Sequence, residues 1–157
     1  MSLISPTKPA IRPPQPLVFA RLALETDRPE LLELLRARLT AVSPWLEFDA
    51  ATANMTLDNY FATANPTVFV AEGAGRQLVG YWLATFEEYS STAGYAICKD
   101  EIFVRPGSAA GEATAELDSA FETWVRQLKP EPLEVLIGMD VDLAVADVAR
   151  LQHAGGH

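Results

Sequence analysis

Two adjacent carboxylates lie in a strand-like segment, where side chains of this type can perform proton transfer. Asp100 and Glu101 precede the apolar triplet Ile102-Phe103-Val104. A carboxylate in a cleft can remove a proton directly or through a water molecule, as a general base does. Because successive side chains of a strand point to opposite faces, we expect only one of the pair to face a cleft. Glu101 is the preferred base and Asp100 the alternative. If neither residue has a catalytic role, the two are a pair of solvated charges at the end of a strand.

A loop of small residues follows these carboxylates. After Pro106 the chain reads Gly107-Ser108-Ala109-Ala110-Gly111, and a helix is predicted over Gly111 to Leu128. A helix N-terminus presents backbone N–H groups without intrahelical partners and the positive end of a dipole, which together suit a phosphate group. The strand, the loop and the helix therefore predict a site for a nucleotide's diphosphate.

Length and composition indicate one domain behind an extended arm. The chain has 157 residues, of which 49% are hydrophobic and 21% charged, as in ordinary soluble domains. Residues 1–16 are polar and rich in proline, which predicts an arm or linker, and residues 17–157 are expected to form the domain. The arm lacks the apolar segment of a signal peptide, so we expect a cytoplasmic protein.

Charge and the rare reactive residues disfavour several classes of site. The formal net charge is -9 and no Lys/Arg cluster is present, so nucleic acid and membrane partners are not expected. Cys98 is the single cysteine, which we interpret as a small core side chain. The histidines, His153 and His157, both lie at the C-terminal end, and no metal site is expected.

Hydrophobic periodicity and turn residues predict the order β-α-α-β-β-β-α-β-α. Helices between strands indicate an α/β or α+β domain with a mixed sheet covered on both faces. Asp27 and Glu30 resemble a capping box, and residues 67–104 should form an antiparallel meander. The short apolar run Leu133–Met139 is typical of a strand buried on both faces. The expected elements are Leu17–Leu24, Glu25–Val42, Phe48–Ala64, Thr67–Glu72, Leu78–Thr85, Tyr95–Val104, Gly111–Leu128, Leu133–Met139 and a last helix from Asp140 or Asp142 to about His153.

Three segments and this element order resemble the GCN5-related N-acetyltransferase (GNAT) superfamily. The first is Phe19–Ala23 leading to Asp27, which is similar to the family's opening strand and helix. The second is the hairpin Val68–Glu72 with Leu78–Trp82. The third, Asp100–Pro106, is similar to the acidic, aromatic and proline-terminated strand end of many members.

The resemblance implies an enzyme that transfers an acetyl group from acetyl-CoA to a primary amine, on a small molecule or a protein. In this family the amine attacks the thioester directly, a carboxylate removes its proton, and a strand N–H, here from about Phe103 or Val104, stabilises the oxyanion. The resemblance places the cofactor loop at Ala109, Ala110, Gly111, Glu112, Ala113 and Thr114.

Departures from the family pattern leave a second function open. The loop lacks the usual basic residue, Glu112 replaces a usual glycine, and Gln152 replaces the tyrosine that often protonates the leaving thiolate. Tyr81 and Tyr95 are alternative acids, although packing is the commoner role of a strand tyrosine. The final family strand is missing, and a second copy or an assembly partner could supply it. The alternative is therefore a catalytically inactive GNAT-fold component of an assembly, such as a virion component if the chain is viral.

Overall fold

The computed structural model describes residues 18–62, 67–107 and 109–141, with side chains as far as Ile137. The predicted order β-α-α-β-β-β-α-β is confirmed over these residues. The predicted arm and the predicted last helix lie outside them. Among the described residues, no helix has both the length and the apolar character needed to cross a membrane. The elements are β1 Phe19–Leu22, α1 Arg28–Val42, α2 Ala50–Phe61, β2 Val68–Glu72, β3 Leu78–Glu88, β4 Tyr95–Val104, α3 Ala110–Gln127 and β5 Glu134–Val141.

The five strands form one mixed sheet in the order β1-β2-β3-β4-β5. Strands β1 to β4 pair antiparallel, which confirms the predicted meander, whereas β5 pairs parallel to β4 after the crossover through α3. The β2–β3 connection turns through Gly75, whose φ of 70° is a conformation that glycine adopts without steric cost. The sheet thus carries a parallel edge next to the predicted functional strand.

Each face of the sheet has its own core. The face covered by α3, the α3 face, contains Trp82 and Phe121, whose rings stack with centroids 4.8 Å apart. The opposite face, the α1/α2 face, buries Leu31 and Leu34 of α1 and Leu57 of α2 against the sheet. The helix predicted over Gly111 to Leu128 is confirmed as α3, whose buried residues Ala113, Leu117 and Phe121 recur at helical spacing and form its sheet-facing side.

Partners outside the helix replace the predicted capping box of α1. Asp27 precedes the helix but makes no side-chain cap hydrogen bond to it. Its carboxylate instead accepts from the Leu24 N–H at 2.7 Å and from both terminal nitrogens of Arg21 at 2.8 and 2.9 Å. Glu30 accepts the Leu78 N–H at 3.0 Å and so joins α1 to the start of β3. The carboxylates were correctly located at the helix start, but their partners lie outside the helix.

The start of one helix and the burial of one strand differ from the prediction. Helix α2 begins at Ala50 rather than Phe48, because Asp49 accepts the Thr52 N–H at 3.0 Å and caps the helix there. The prediction that Leu133–Met139 is buried on both faces is wrong, since Val135 and Ile137 are 41% and 63% exposed. Strand β5 is the edge of the described sheet, and α3 lies over β1, β2 and β3 instead.

Candidate active site at the β4 bulge

Strand β4 carries a β-bulge at Asp100. On β3, Leu83 pairs with Glu101 and Ala84 with Lys99, so Asp100 has no partner position on β3. On the other side, β4 and β5 also change register between Lys99 and Glu101. An extra residue of this kind re-aims side chains and interrupts the pairing of a sheet. The bulge therefore lies at the two carboxylates that the sequence singles out.

The bulge turns both carboxylates towards the α1/α2 face. Asp100 Oδ2 accepts from the hydroxyl of Tyr60 on α2 at 2.7 Å. Glu101 Oε1 lies 3.5 Å from Arg38 Nη1 on α1. The expectation that Asp100 and Glu101 point to opposite faces is therefore wrong, because the extra residue resets the alternation of side chains.

Asp100 is held through both of its oxygens. Tyr60 donates to Oδ2, and the Thr85 hydroxyl of β3 donates to Oδ1 at 3.1 Å. Burial, followed by the hydrogen bond to Asp100, raises the pKa of Tyr60, so this phenol stays protonated and remains a donor. Burial and the neighbouring Asp100 also raise the pKa of Cys98 to about 11, which keeps the thiol protonated. Asp100 thus connects the bulge to α2 and β3 and holds this part of β4 in position.

Glu101 occupies a different environment, beside one cation and one phenol. Tyr81, whose side chain is buried, donates its hydroxyl hydrogen bond to Glu101. Burial and the charge of Glu101 raise the pKa of Tyr81, so Tyr81 also stays protonated. The Glu101 and Arg38 side chains are each 19% exposed, and both line a surface cavity. Glu101 can therefore accept a proton while its position is fixed by Tyr81 and Arg38.

A cavity of about 350 Å³ opens over Glu101. It lies between α1, the loop that follows α1, and α2, and it reaches the sheet at Glu101. Its walls are largely apolar, with Leu35 and Leu39 from α1 and Phe48 from the loop, and Thr56 faces it from α2. An apolar cavity with a few convergent polar groups is the usual form of a small-molecule site.

A larger cavity, about 700 Å³, lies at the other end of β4 and does not include the carboxylates. It is bounded by Glu88, Tyr95 and Lys129, among others. The Tyr95 hydroxyl donates to the Pro130 carbonyl at 2.5 Å, so Tyr95 is engaged away from the bulge. Convergence of chemical groups, rather than size, singles out the smaller cavity.

The predicted diphosphate loop leads directly into α3. The helix begins at Ala110, and its N-cap residue, Ala109, provides no side-chain acceptor for the first turn. The Ala110 N–H donates to the Gly107 carbonyl at 3.2 Å, and the Ala113 N–H donates to the Ala109 carbonyl at 2.9 Å. Helix geometry leaves the amides between them, those of Gly111 and Glu112, without an intrahelical carbonyl.

The surroundings of this helix start are open, but they are not uniformly favourable for an anion. A Cβ atom built at Gly111 meets no other atom within 4 Å. Glu112 contributes a carboxylate to the same first turn. Ala113 is buried in the α3-face core, and the Thr114 hydroxyl donates to the Ala110 carbonyl at 3.0 Å. The first turn of α3 therefore combines backbone amides of the kind that bind anions with a carboxylate that repels an anion.

The remaining predicted site residues lie at the C-terminal end of β4. Phe103 pairs with Tyr81, and Val104 pairs with Gly80 on β3. The Phe103 side chain is buried on the α1/α2 face. The described pairing of β4 with β5 ends at Ile102 and Val141, so Phe103 and Val104 lie just beyond it. The predicted roles of these two amides stay predictions, as do those of the loop residues.

Sequence reasoning missed two contributors, Tyr60 and Arg38. Tyr60 lies in the last turn of α2, 40 residues before Asp100 in the chain. Arg38 is a charged residue on the otherwise apolar side of α1. A polar residue within an otherwise core-facing helix position is a signal, but it does not reveal its partner. Gln152 and His153 lie outside the described residues.

The structure resembles solved acetyltransferases over nearly its whole length. A ribosomal-protein-alanine N-acetyltransferase from Brucella melitensis biovar Abortus 2308 superposes with a TM-score of 0.58 and 18% sequence identity, covering 89% of this chain and 91% of that chain. The aminoglycoside 6'-N-acetyltransferase AAC(6')-Ih from Acinetobacter baumannii gives a TM-score of 0.61 and 15% identity, covering 89% and 90% of the two chains. The aminoglycoside N-acetyltransferase AAC(6')-Iy in complex with CoA gives 0.62 and 16%, covering 93% and 91%.

No protein-family model matches the sequence, and no curated protein does. At identities below a fifth, the likeness to these structures is a likeness of fold. It agrees with the mixed sheet, the crossover through α3 and the motif at β4. The chain therefore has the fold of the GCN5-related N-acetyltransferases, as its sequence motifs predict.

Proposed function

We propose that this protein transfers an acetyl group from acetyl-CoA to a primary amine, with Glu101 as the general base. The observation that carries the proposal is the bulge at Asp100, which brings Glu101 to the inner end of an open, largely apolar cavity. The fold supports the same reaction class, since three of the neighbours that share it are named N-acetyltransferases. One of those neighbours holds CoA, which supports acetyl-CoA as the co-substrate.

In the proposed reaction, the acceptor amine enters the cavity and loses a proton to Glu101. The neutral amine nitrogen then bonds to the thioester carbon of acetyl-CoA while the carbon–sulfur bond breaks, and the excess proton of the nitrogen passes to the leaving sulfur, which departs as CoA thiol. Tyr81 and Arg38 hold the carboxylate in place before and after it takes the proton. A positioned base of this kind contributes about 10²- to 10⁴-fold to a rate.

The other reactant fits the helix start between β4 and α3. The amides of Gly111 and Glu112 would bind the diphosphate, and an amide of Phe103 or Val104 would stabilise the thioester oxygen during attack. The Glu112 carboxylate opposes an anion there, so we expect weaker binding than a neutral loop would give. Binding of acetyl-CoA at this position would therefore distinguish an enzyme from a protein that shares only the fold.

Binding of acetyl-CoA, measured by calorimetry, tests the cofactor site with matched variants. Gly111→Asp adds a charge where a Cβ meets no other atom, and an acidic residue in a first helical turn does not weaken a helix. We expect Gly111→Asp to weaken binding at least about tenfold, whereas Glu112→Gln should tighten it about threefold. Glu122→Gln, towards the other end of α3, is the control with the same change of charge. Equal affinity in all four proteins would reject this cofactor site.

The second candidate function is a GNAT-fold binding or structural component without catalysis. Glu112 in the first turn of α3 favours it, because a carboxylate there disfavours the diphosphate. Absence of acetyl-CoA binding at millimolar concentration, together with recovery of a stable assembly partner, would establish this alternative. Saturable binding followed by amine-dependent release of CoA thiol would exclude it.

A further inference from the structure

The cavity at the bulge has an uneven distribution of charge along its length. At its inner end, Glu101 lies beside Arg38, with Oε1 and Nη1 3.5 Å apart, so opposite charges meet there. Its outer end is formed by the loop before α2, which contributes Glu47 and Asp49. Among the described residues that line this outer end, none is basic. The inner end is close to neutral, and the outer end is negative.

The negative charge at the outer end persists at neutral pH. Asp49 is exposed and accepts hydrogen bonds from the Thr52 N–H and the Thr52 hydroxyl, which lower the pKa of Asp49. Both bonds go to Oδ2. Arg36 stacks over the Phe48 ring at 4.4 Å but lies 4.0 Å from Glu33 and lines a separate cavity. The Arg36 guanidinium, which stacks on Phe48, therefore lies beside the Glu33 carboxylate rather than in this cavity.

Helix α2 sets the distance between the two ends. Asp49, Thr52 and Thr56 line the cavity at successive turns, and one turn later Tyr60 bonds Asp100, next to Glu101. Asp49 and Thr56 are separated by seven positions, and a helix rises 1.5 Å per residue, so the cavity extends about 10 Å along α2. The wall between the ends is largely apolar, with Leu35, Leu39 and Phe48 as its large side chains, a set that fits a hydrocarbon chain.

We propose that the acceptor is a small diamine or polyamine that places one amino group at Glu101 and the other at Glu47 and Asp49, at the two ends of this cavity. This inference rests on the proposed acetyl transfer and names its substrate class. One amine lies against Glu101 in its neutral form, where the neighbouring Arg38 guanidinium disfavours a second positive charge. The other amine stays protonated and pairs with Glu47 and Asp49. The apolar wall contacts the carbon chain between them.

A series of α,ω-diamines, each compared with the monoamine of the same carbon chain, tests the proposal. With acetyl-CoA saturating, we expect kcat/KM to be about tenfold higher for the diamine that spans the cavity, since two exposed ion pairs give a gain of this order. Calorimetry with the diamine alone provides a readout that needs no turnover. Binding should weaken with salt for the diamine and not for the monoamine.

The double variant Glu47→Gln, Asp49→Asn removes the proposed contact without removing the helix cap, since asparagine caps a helix as well as aspartate does. We expect the diamine's advantage in KM and in binding to disappear, so that the diamine and the monoamine of the same carbon chain become equivalent. Asp118→Asn on α3, an exposed residue on the α3 face, is the control for a change of charge.

Each result separates this inference from the function on which it rests. Equal kcat/KM for monoamines and diamines, or a double variant that behaves as the wild type, would overturn the diamine inference while leaving acetyl transfer intact. Acetylation of a protein amino group with no small diamine accepted would overturn it in the same way. Diamine binding that depends on Glu47 and Asp49 but leads to no transfer would support the site and contradict the proposed reaction.

Discussion

The two faces of the sheet are formed by the same strands but differ in the side chains that they bury. On the α3 face, aromatic rings fill the core: Phe121 stacks on Trp82, and Trp124 meets the edge of Phe69 with centroids 5.3 Å apart. On the α1/α2 face, the apolar core is interrupted at the bulge by carboxylates, phenols and a guanidinium. One face is a packed interior, and the other surrounds a cavity.

The difference shows how one strand can serve stability and chemistry at the same time. Ile97 and Ile102 of β4 belong to the α3-face core, whereas Asp100 and Glu101, between them in the chain, face the other side. Partly buried charges bring little net stability, because desolvation offsets their attraction. Changes on the α3 face should therefore reduce stability, and changes at the bulge should reduce activity.

Phe121→Ala should produce the largest loss of stability. Phe121 is 2% exposed and contacts the rings of Trp82, Phe69 and Trp124. Removing a buried ring of this size leaves a cavity and costs about 3–5 kcal/mol of unfolding free energy. Chemical denaturation measures the change, with Glu122→Gln on the same helix as the control. A loss below about 1 kcal/mol would contradict the account of this face.

Asp27→Asn should cost less, and its effect should depend on pH. The Arg21 guanidinium hydrogen-bonds the Asp27 carboxylate and holds the pKa of Asp27 below its ordinary value. Because this pKa is lowered on folding, the stabilisation is present above the ordinary pKa and is lost as the pH falls through the lowered value. We expect a loss of about 2 kcal/mol at neutral pH, since Arg21 is only partly buried.

Denaturation of the wild type and Asp27→Asn from neutral to acid pH measures this effect. The difference between their unfolding free energies should begin to shrink below a pH of about 4, where Asp27 of the unfolded chain takes up a proton, and should disappear below the lowered pKa of Asp27 in the folded protein. Arg21 keeps Glu72 as a partner at 2.5 Å, which should let the variant fold. A difference that stays constant with pH would contradict the charged contact.

Tyr60→Phe should reduce activity more than it reduces stability. It removes the hydroxyl that holds Asp100 at 2.7 Å, which costs about 1 kcal/mol of unfolding free energy. A loosened bulge misplaces Glu101, so we expect kcat to fall about tenfold while the affinity for acetyl-CoA stays the same. Stability, kcat and acetyl-CoA binding are to be measured on one preparation. Unchanged kcat would show that Asp100 does not position the site.

Cys98→Ser should have the smallest effect. The pKa of Cys98 is raised to about 11, so the thiolate is nearly absent at neutral pH and cannot act as a nucleophile. We expect acetyl transfer to stay within about twofold of the wild-type rate and native Cys98 to react slowly with thiol reagents. Loss of most of the activity would assign this thiol a chemical role.

Much of the fold could be predicted from sequence because it depends on local patterns. The apolar stripe of α3 and the runs of β-branched and aromatic residues in β2 and β3 predict those elements from the sequence alone. Strand β5 shows the limit of such patterns. Its apolar run has the composition of a buried strand, yet exposure depends on the position of a strand in the sheet, and β5 lies at the described edge.

The site was harder to predict because it depends on one residue of register. Asp100 and Glu101 were correctly identified as chemical candidates, but strict alternation of strand side chains allowed only one to face the cavity. The bulge, which brings both to one face, is a feature of pairing with β3 and leaves no mark in composition. The partners Tyr60 and Arg38 come from two helices, so their proximity appears only in the folded chain.

The most direct test of the central claim is the rate of CoA release from acetyl-CoA in the presence of a primary amine, for the wild type and Glu101→Gln. Glutamine keeps an acceptor for Tyr81 but cannot take a proton at neutral pH. We expect kcat to fall about 10²- to 10⁴-fold, with acetyl-CoA binding retained and stability changed by less than about 1 kcal/mol. Amine-dependent turnover that survives in Glu101→Gln, or its absence in the wild type, would contradict the account.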